Sequence, residues 1–227
     1  MGPLLMTFDP GAGEVYTSYT RSRLNGRIPD EVCLSTACVH SAMGYVGGDP
    51  NQLDPQHDTR TGTIAGSVGP AFLRRYAVRI NYHDSTLALL PITAFRPASD
   101  AVRLPIAFDS YGLPVVHATI DGISAPFELD VRAPTSMLFR PFLERTALSQ
   151  FYAAAPIVRR SSTLVAHAVR KVDVAGFQLR DVPFWFSTAT DGKFANPAVA
   201  GLLGNNVLSH FVLTLDFSHR AAYVARR

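Results

Sequence analysis

Two aspartates hold matching places in the sequence and are the residues best suited to chemistry. Asp9 ends the run "MTFD" and Asp130 ends the run "FELD", and an alanine follows three residues later in each case, at Ala12 and Ala133. Two carboxylates that face each other at about 3 Å cannot both ionise, so they share one proton. The ionised partner can act as a general base and the protonated partner as a general acid. Such a pair is suited to acid–base chemistry, provided that the fold brings the two aspartates together.

A duplicated stretch indicates how the fold could do so. The segment 65–82, "AGSVGPAFLRRYAVRINY", aligns without gaps with the segment 200–217, "AGLLGNNVLSHFVLTLDF". The alignment sets Gly69 on Gly204, each at the end of a small apolar run. We therefore predict a β-rich unit of roughly 90–120 residues that occurs twice, and each copy would supply one aspartate.

The second copy is the easier one to divide into elements. The sequence predicts two strands over 113–130, joined at Asp121-Gly122, a dipeptide typical of two-residue hairpins. Apolar spacing predicts a helix over 140–149. Alternating residues over 162–187 predict two or three strands with a turn at an Ala-Gly pair, and a short helix over 204–211 is followed by two strands, "VLTLDF" and "AAYVA".

The first copy repeats the later part of this order. A strand in "PLLMTF" runs into a glycine-rich turn, and a helix in "GPAFLRRY" precedes strands in "AVRINY" and "STLALLP". The whole pattern predicts an all-β fold with a few short helices. The copies would span residues 1–91 and 108–227, and the proline-rich segment 92–107 is predicted to be a linker.

The composition is typical of a folded, strand-rich globular protein. Apolar residues make up 47% of the 227 residues and charged residues 17%, so the chain can bury a sizeable core. The net charge of +3, with no basic run longer than Arg-Arg, argues against a nucleic-acid partner. The uncharged segment 194–215 contains three asparagines and a histidine, so no membrane span is predicted. No P-loop, dinucleotide-binding or His-Glu-x-x-His motif is present, and no cofactor is expected.

The two cysteines, Cys33 and Cys38, stand close together in "CLSTAC". They could close a small disulfide loop in an oxidising compartment, or remain as two free, partly buried thiols. A zinc site formed with His40 and His57 is a third interpretation, although the spacing is loose for zinc and a second close pair is missing.

Around the aspartates the sequence resembles the aspartic peptidase family, in its retroviral-like bacterial branch. That family has Asp-Thr/Ser-Gly-Ala/Ser after an apolar strand, then an apolar-apolar-Gly turn, a short helix and a strand like "TLDF". The run "GLLGNNVLSHFVLTLDF" is similar to this segment over nearly its whole length, and "VDVAGFQLRDVPFWF" resembles the strand pair that precedes it. The resemblance covers about 110–227 well, and 3–20 and 62–90 less well.

The resemblance implies two acid-protease-like β-barrel lobes with a cleft between them, in which an extended polypeptide binds as an added strand. It implies Asp9 and Asp130 as the catalytic pair, with Gly11, Ala12 and Ala133 in the substrate-binding turns. The expected partner is a polypeptide substrate or peptide ligand of a two-lobed monomer, and neither a metal nor an organic cofactor is implied. "CLSTAC" also resembles the small disulfide loop in the first lobe of pepsins.

Both turns depart from the Asp-Thr-Gly of that family. The first reads Asp9-Pro10-Gly11 and the second reads Asp130-Val131-Arg132. Neither Pro10 nor Val131 has the hydroxyl that crosses to the opposite turn in the family, and Arg132 adds a positive charge beside the second carboxylate. Two functions therefore stay open: an aspartic endopeptidase, or an inactive protein of the same fold that binds extended peptides or acts as a scaffold.

The amino-terminal end bears on location. No basic segment or cleavage site follows Met1, and the first copy lacks the leading strand that the second copy has in its hairpin before Asp130. We expect either an upstream segment with a signal for export, or a trimmed first lobe.

Overall fold

The computed structural model describes residues 5–8, 15–17, 31–34, 36–40, 44–46, 64–110, 112–146, 148, 158–161 and 164–226. The strands are β1 (Leu5–Phe8), β2 (Val15–Thr17), β3 (Glu31–Leu34), β4 (Ala37–His40), β5 (Gly44–Val46), β6 (Ile64–Val68), β7 (Tyr76–Asn81), β8 (Thr86–Pro91), β9 (Val102–Pro105), β10 (Ala107–Phe108), β11 (Pro114–Ile120), β12 (Ile123–Leu129), β13 (Met137–Leu138), β14 (Val158–Ser161), β15 (Leu164–Val174), β16 (Phe177–Ser187), β17 (Gly201–Leu203), β18 (Phe211–Asp216) and β19 (Ala221–Arg226). The helices are α1 (Pro70–Arg75), α2 (Arg140–Arg145) and α3 (Asn205–Leu208), with a 3-10 turn over Lys193–Ala195. The predicted all-β fold with a few short helices is confirmed.

The second half forms a closed barrel. Its sheet has the order β10-β11-β12-β17-β13-β16-β15-β14, and an additional pairing of β11 with β15 joins six of these strands into a ring. The two predicted turns shape it: Asp121 and Gly122 have φ values of 46° and 89°, and Ala175 and Gly176 have φ values of 57° and 83°. Two consecutive left-handed residues fit a two-residue hairpin turn, which matches the twist of the flanking strands.

Strand β17 crosses between two strands that are neighbours in sequence. It runs parallel to β12 and antiparallel to β13, so it separates them in the sheet. The crossing requires a glycine at each end. A Cβ on Gly201 would overlap the Met137 carbonyl oxygen, and a Cβ on Gly204 would lie 2.8 Å from the Ala133 oxygen.

The sheet of the first half has the same sequence of pairings. Its order is β1-β6-β2-β5, in which β6 is parallel to β1 and antiparallel to β2, and β5 is parallel to β2. The second half contains the matching order β12-β17-β13-β16. There β17 is parallel to β12 and antiparallel to β13, and β16 is parallel to β13. At the ends of the crossing strands Phe8 pairs with Val68, and Leu129 pairs with Leu203. Each of these pairs is followed in sequence by an aspartate and a glycine.

A third sheet joins the two halves, in the order β8-β7-β18-β19-β9. Strands β7 and β18 are antiparallel, and Val78 pairs with Leu215 while Ile80 pairs with Leu213. The alignment that sets Gly69 on Gly204 superimposes the bounds of β7 on β18 and of β8 on β19. The same alignment converts the Val78–Leu215 pair into the Leu213–Ile80 pair, which is the relation that a local two-fold axis produces. The segment 92–107, predicted to be a linker, contains β9, which extends this sheet by pairing with β19.

The apolar core is continuous across the halves. One cluster contains Leu73 and Val78 from the first half together with Phe127, Phe184 and Leu213 from the second. All five side chains are at most 1% exposed, and burial of side chains of this size contributes about 1.5–3 kcal/mol each to folding. The core and the shared sheet therefore fix the end of β12, which leads into Asp130.

The cysteines are joined. Cys33 and Cys38 face each other across the β3–β4 hairpin and form a disulfide. Cysteines in a disulfide supply no thiolates, so the zinc interpretation with His40 and His57 loses both sulfur ligands and is wrong. His57 lies outside the described residues.

Candidate functional site

The Asp130 turn begins where β12 ends. The Asp130 N–H donates to the Leu203 carbonyl at 3.1 Å, which ties the turn to the crossing strand. The Arg132 and Ala133 N–H groups both donate to Asp130 Oδ1, at 3.0 and 3.1 Å. This local turn holds the carboxylate in one orientation, with its side chain 25% exposed. Arg132 is exposed.

A lysine bridges this carboxylate to a buried one. Lys193 Nζ lies 2.9 Å from Glu128 Oε2 and 3.7 Å from Asp130 Oδ2. The Glu128 side chain is 0% exposed, whereas that of Lys193 is 31% exposed. Lys193 begins the 3-10 turn that follows β16, so two segments distant in sequence meet here. The site is a row of charges, Glu128–Lys193–Asp130, that runs from the interior to the surface.

Burial has the largest effect on the pKa of Glu128. It raises the pKa of Glu128 from 4.5 to about 7, because a buried carboxylate loses its hydration. The Lys193 ammonium opposes this increase, and the negative charge of Asp109 adds to it. The Asp109 charge therefore favours a neutral Glu128, and the Lys193 contact favours an ionised one.

An asparagine on α3 positions the strand that follows the turn. Asn206 Oδ1 accepts hydrogen bonds from the Ser136 backbone N–H at 2.7 Å and from its hydroxyl at 2.8 Å. Asn206 Nδ2 donates to the Pro183 carbonyl at 2.6 Å, and the Gly204 N–H donates to the Ser136 hydroxyl at 2.9 Å. Since the two sides of the Asp130 turn are held by the crossing strand and by α3, its geometry depends on the "GNN" of the duplicated stretch.

The first half contributes Tyr82 to the same neighbourhood. Its hydroxyl donates to Asn205 Oδ1 at 2.8 Å, and the Asn205 N–H donates to the Ala133 carbonyl at 2.7 Å. Burial, with a smaller contribution from the Asp130 charge, raises the pKa of Tyr82 to about 12. The phenol therefore stays a neutral hydrogen-bond donor and links the turn between β7 and β8 to the Asp130 turn.

The predicted site residues are only partly within the described structure. Asp130 and Ala133 lie in the same turn, joined by the hydrogen bond from the Ala133 N–H. Asp9, Gly11 and Ala12 lie outside the described residues, and so their predicted approach to Asp130 remains a prediction. Sequence reasoning missed Glu128 and Lys193. The signal for Glu128 was an acidic residue inside the apolar run "APFEL"; Lys193 lies in a segment without periodicity.

No helix within the described ranges has both the length and the apolar character needed to cross a lipid bilayer. No protein-family model matches the chain, and no curated protein matches its sequence.

Solved structures are similar to the chain at low sequence identity. One is a retropepsin-like aspartic protease from Rickettsia conorii, with 15% identity and a TM-score of 0.41, which covers 57% of this chain and 94% of that one. Another is Basic 7S globulin from soybean, with 11% identity and a TM-score of 0.48, which covers 78% of this chain and 60% of that one. The chain thus spans about three fifths of the soybean protein's length. The similarity concerns the fold alone.

Proposed function

We propose that this chain binds extended polypeptides on an aspartic-protease-like fold without hydrolysing them. The observation that carries this proposal is the position of Lys193, whose ammonium lies 3.7 Å from Asp130 Oδ2. Hydrolysis by a carboxylate pair needs one proton held between two acids. Two backbone N–H groups donate to Asp130 Oδ1 and the ammonium lies beside Oδ2, so a second acid that shared a proton with Asp130 would have to displace one of these partners.

The side chains around the turn also favour binding over catalysis. Val131 stands where a hydroxyl would be needed to couple two opposing turns, and Pro10 has neither a hydroxyl nor an N–H. We infer two lobes, 1–91 and 108–227, from the repeated strand pairings and the matched hairpins. A polypeptide bound between such lobes would be held mainly by main-chain hydrogen bonds, with side-chain pockets near Asp130 that select its sequence.

The test uses a defined peptide pool and the full chain. Incubation from about pH 3 to pH 8, followed by mass spectrometry, is expected to show no cleavage, whereas fluorescence anisotropy is expected to show binding of extended peptides. Asp130→Asn is expected to leave the binding of peptides without lysine or arginine largely unchanged. Cleavage that is abolished by Asp130→Asn would refute the proposal.

One observation favours the second candidate, an aspartic endopeptidase that uses Asp9 and Asp130. The pairings of Phe8 with Val68 and of Leu129 with Leu203 give the residues that precede the two aspartates equivalent positions in their sheets. This candidate requires that cleavage occur at acid pH and that Asp9→Asn and Asp130→Asn each abolish it.

A further inference from the structure

Three carboxyl groups and one ammonium meet beside the Asp130 turn. The Asp109 charge acts on Glu128, and the Lys193 ammonium lies close to both Glu128 and Asp130. With all groups ionised the cluster carries a net charge of −2, and with Glu128 neutral it carries −1. The site therefore has an excess of negative charge even when Lys193 occupies it.

Glu128 gives this cluster a buried acceptor. Its side chain is 0% exposed, and its Oε1 receives no hydrogen bond from a donor within the described part of the chain. Its Oε2 has the Lys193 ammonium at 2.9 Å. An ionised carboxylate at such depth needs a cation or several donors, because removal from water is costly. The carboxylate cluster is thus suited to a group that is positively charged and rich in N–H donors.

Lys193 reaches this pocket from the surface. It follows Gly192, which has φ 68° and is exposed together with Asp191, and its own side chain is 31% exposed. One end of the lysine is therefore in contact with solvent, and the ammonium is at the inner end. The lysine or arginine side chain of a bound polypeptide would reach Glu128 from solvent in the same way.

We propose that the pocket formed by Glu128, Asp130 and Asp109 binds a lysine or arginine side chain of a polypeptide, and that Lys193 occupies this place when no polypeptide is bound. This proposal rests on the proposed function, since it assumes that the polypeptide passes Asp130. The ammonium of Lys193 is then an internal competitor, and its removal opens the pocket to an external cation of the same chemistry. An arginine guanidinium, with five N–H donors, would also satisfy Glu128 Oε1.

The first experiment needs no peptide. Lys193→Ala removes the ammonium together with most of the side chain, and n-butylammonium reproduces the end of a lysine side chain. At a concentration near ten times its dissociation constant, butylammonium is expected to raise the melting temperature of this variant by roughly 3–5 °C. The wild type, whose pocket is filled, is expected to shift by less than about 1 °C. Butanol at the same concentration, with sodium chloride to match ionic strength, is the control.

The pH response separates binding in the pocket from a general salt effect. Lys193 and Asp109 act electrostatically on Glu128, and Asp130 lies close to the same ammonium. In Lys193→Ala only the carboxyl groups of this cluster remain, so the pKa of Glu128 is expected to lie above its value in the wild type. Butylammonium binding then requires a proton to leave, and the shift in melting temperature is expected to be larger at about pH 9 than at about pH 6. Equal shifts in Lys193→Ala and in Lys193→Ala with Glu128→Gln would overturn the proposal.

The second experiment uses two peptides that differ only in arginine against norleucine. Lys193→Ala is expected to bind the arginine peptide at least about tenfold more tightly than the norleucine peptide, and Glu128→Gln in the same background is expected to remove that preference. If both peptides bind with equal affinity to Lys193→Ala, the cation pocket is refuted while peptide binding stands. If neither peptide binds to any variant but butylammonium stabilises Lys193→Ala, the proposed function fails and the pocket is a site for small cations only. Should Lys193→Ala not fold, Lys193→Ser replaces it in both experiments.

Discussion

Glu128→Gln should change how the stability of this protein depends on pH. The pKa of Glu128 is about 7 in the folded protein, against 4.5 for an exposed glutamate. Because the folded state holds the proton more tightly, the stabilisation is fully present below the unfolded pKa and is lost as the pH rises through 7. Glutamine keeps the shape of a protonated glutamate and has no proton to lose.

The size of the effect follows from the two pKa values. Between about pH 5 and pH 8 the wild type should lose on the order of 2–3 kcal/mol of unfolding free energy through this one group. The variant lacks this loss. For a chain of this size the melting temperature of the wild type should therefore fall, relative to Glu128→Gln, by roughly 5–10 °C over that interval.

The assay is urea unfolding of both proteins at each pH, at constant ionic strength, and the quantity compared is the difference between their unfolding free energies. Taking this difference cancels the contributions of groups that titrate equally in both proteins. Glu144→Gln is the matched control, since that side chain is 57% exposed and pairs with Arg140 on the surface. It should change the unfolding free energy by less than about 0.5 kcal/mol at either pH. If the difference between wild type and Glu128→Gln stays constant within about 0.5 kcal/mol, burial does not raise the pKa of Glu128 and the reasoning is refuted.

Three further predictions concern the frame of the site. Gly201→Ala would force a Cβ into the backbone of β13, so circular dichroism should show a protein that is unfolded or less stable by at least about 3 kcal/mol; Gly112→Ala, at φ 77° with open space around it, should cost about 1 kcal/mol. Asn206→Ala leaves a backbone N–H, a hydroxyl and a carbonyl without their partner, and chemical denaturation should show a loss of about 2–4 kcal/mol. Reduction of the Cys33–Cys38 disulfide releases a short loop, so the loss of unfolding free energy should be about 2 kcal/mol; a loss below about 0.5 kcal/mol would contradict this.

Local chemistry made much of the fold predictable. The turns at Asp121-Gly122 and Ala175-Gly176 need left-handed residues, and the sequence supplies glycine at the second position of each. The helix predicted over 140–149 is shorter in the structure and ends at Arg145. There the extended Thr146 donates both its N–H and its hydroxyl to the Phe142 carbonyl, which closes the last turn. The spacing of apolar residues does not show that hydrogen bonds from one residue will end the helix.

The site was less predictable than the fold. Asp130 could be located because it follows an apolar strand and a repeated pattern. The Glu128–Lys193 ion pair could not, because it joins residues far apart in sequence and depends on how the segment after β16 packs against β12. The choice between disulfide and zinc at Cys33 and Cys38 likewise depended on which groups the β3–β4 hairpin brings face to face. The approach of Asp9 to Asp130 remains a prediction.

The antiparallel pairing of β7 with β18 has a consequence for chain continuity. The segment from Arg96 to Asp100 is exposed and forms no strand, whereas β7 and β18 pair through four residue positions in the middle of a five-stranded sheet. The covalent link between the halves is thus not what keeps them together. Two polypeptides separated at this segment should reassemble when they are co-expressed.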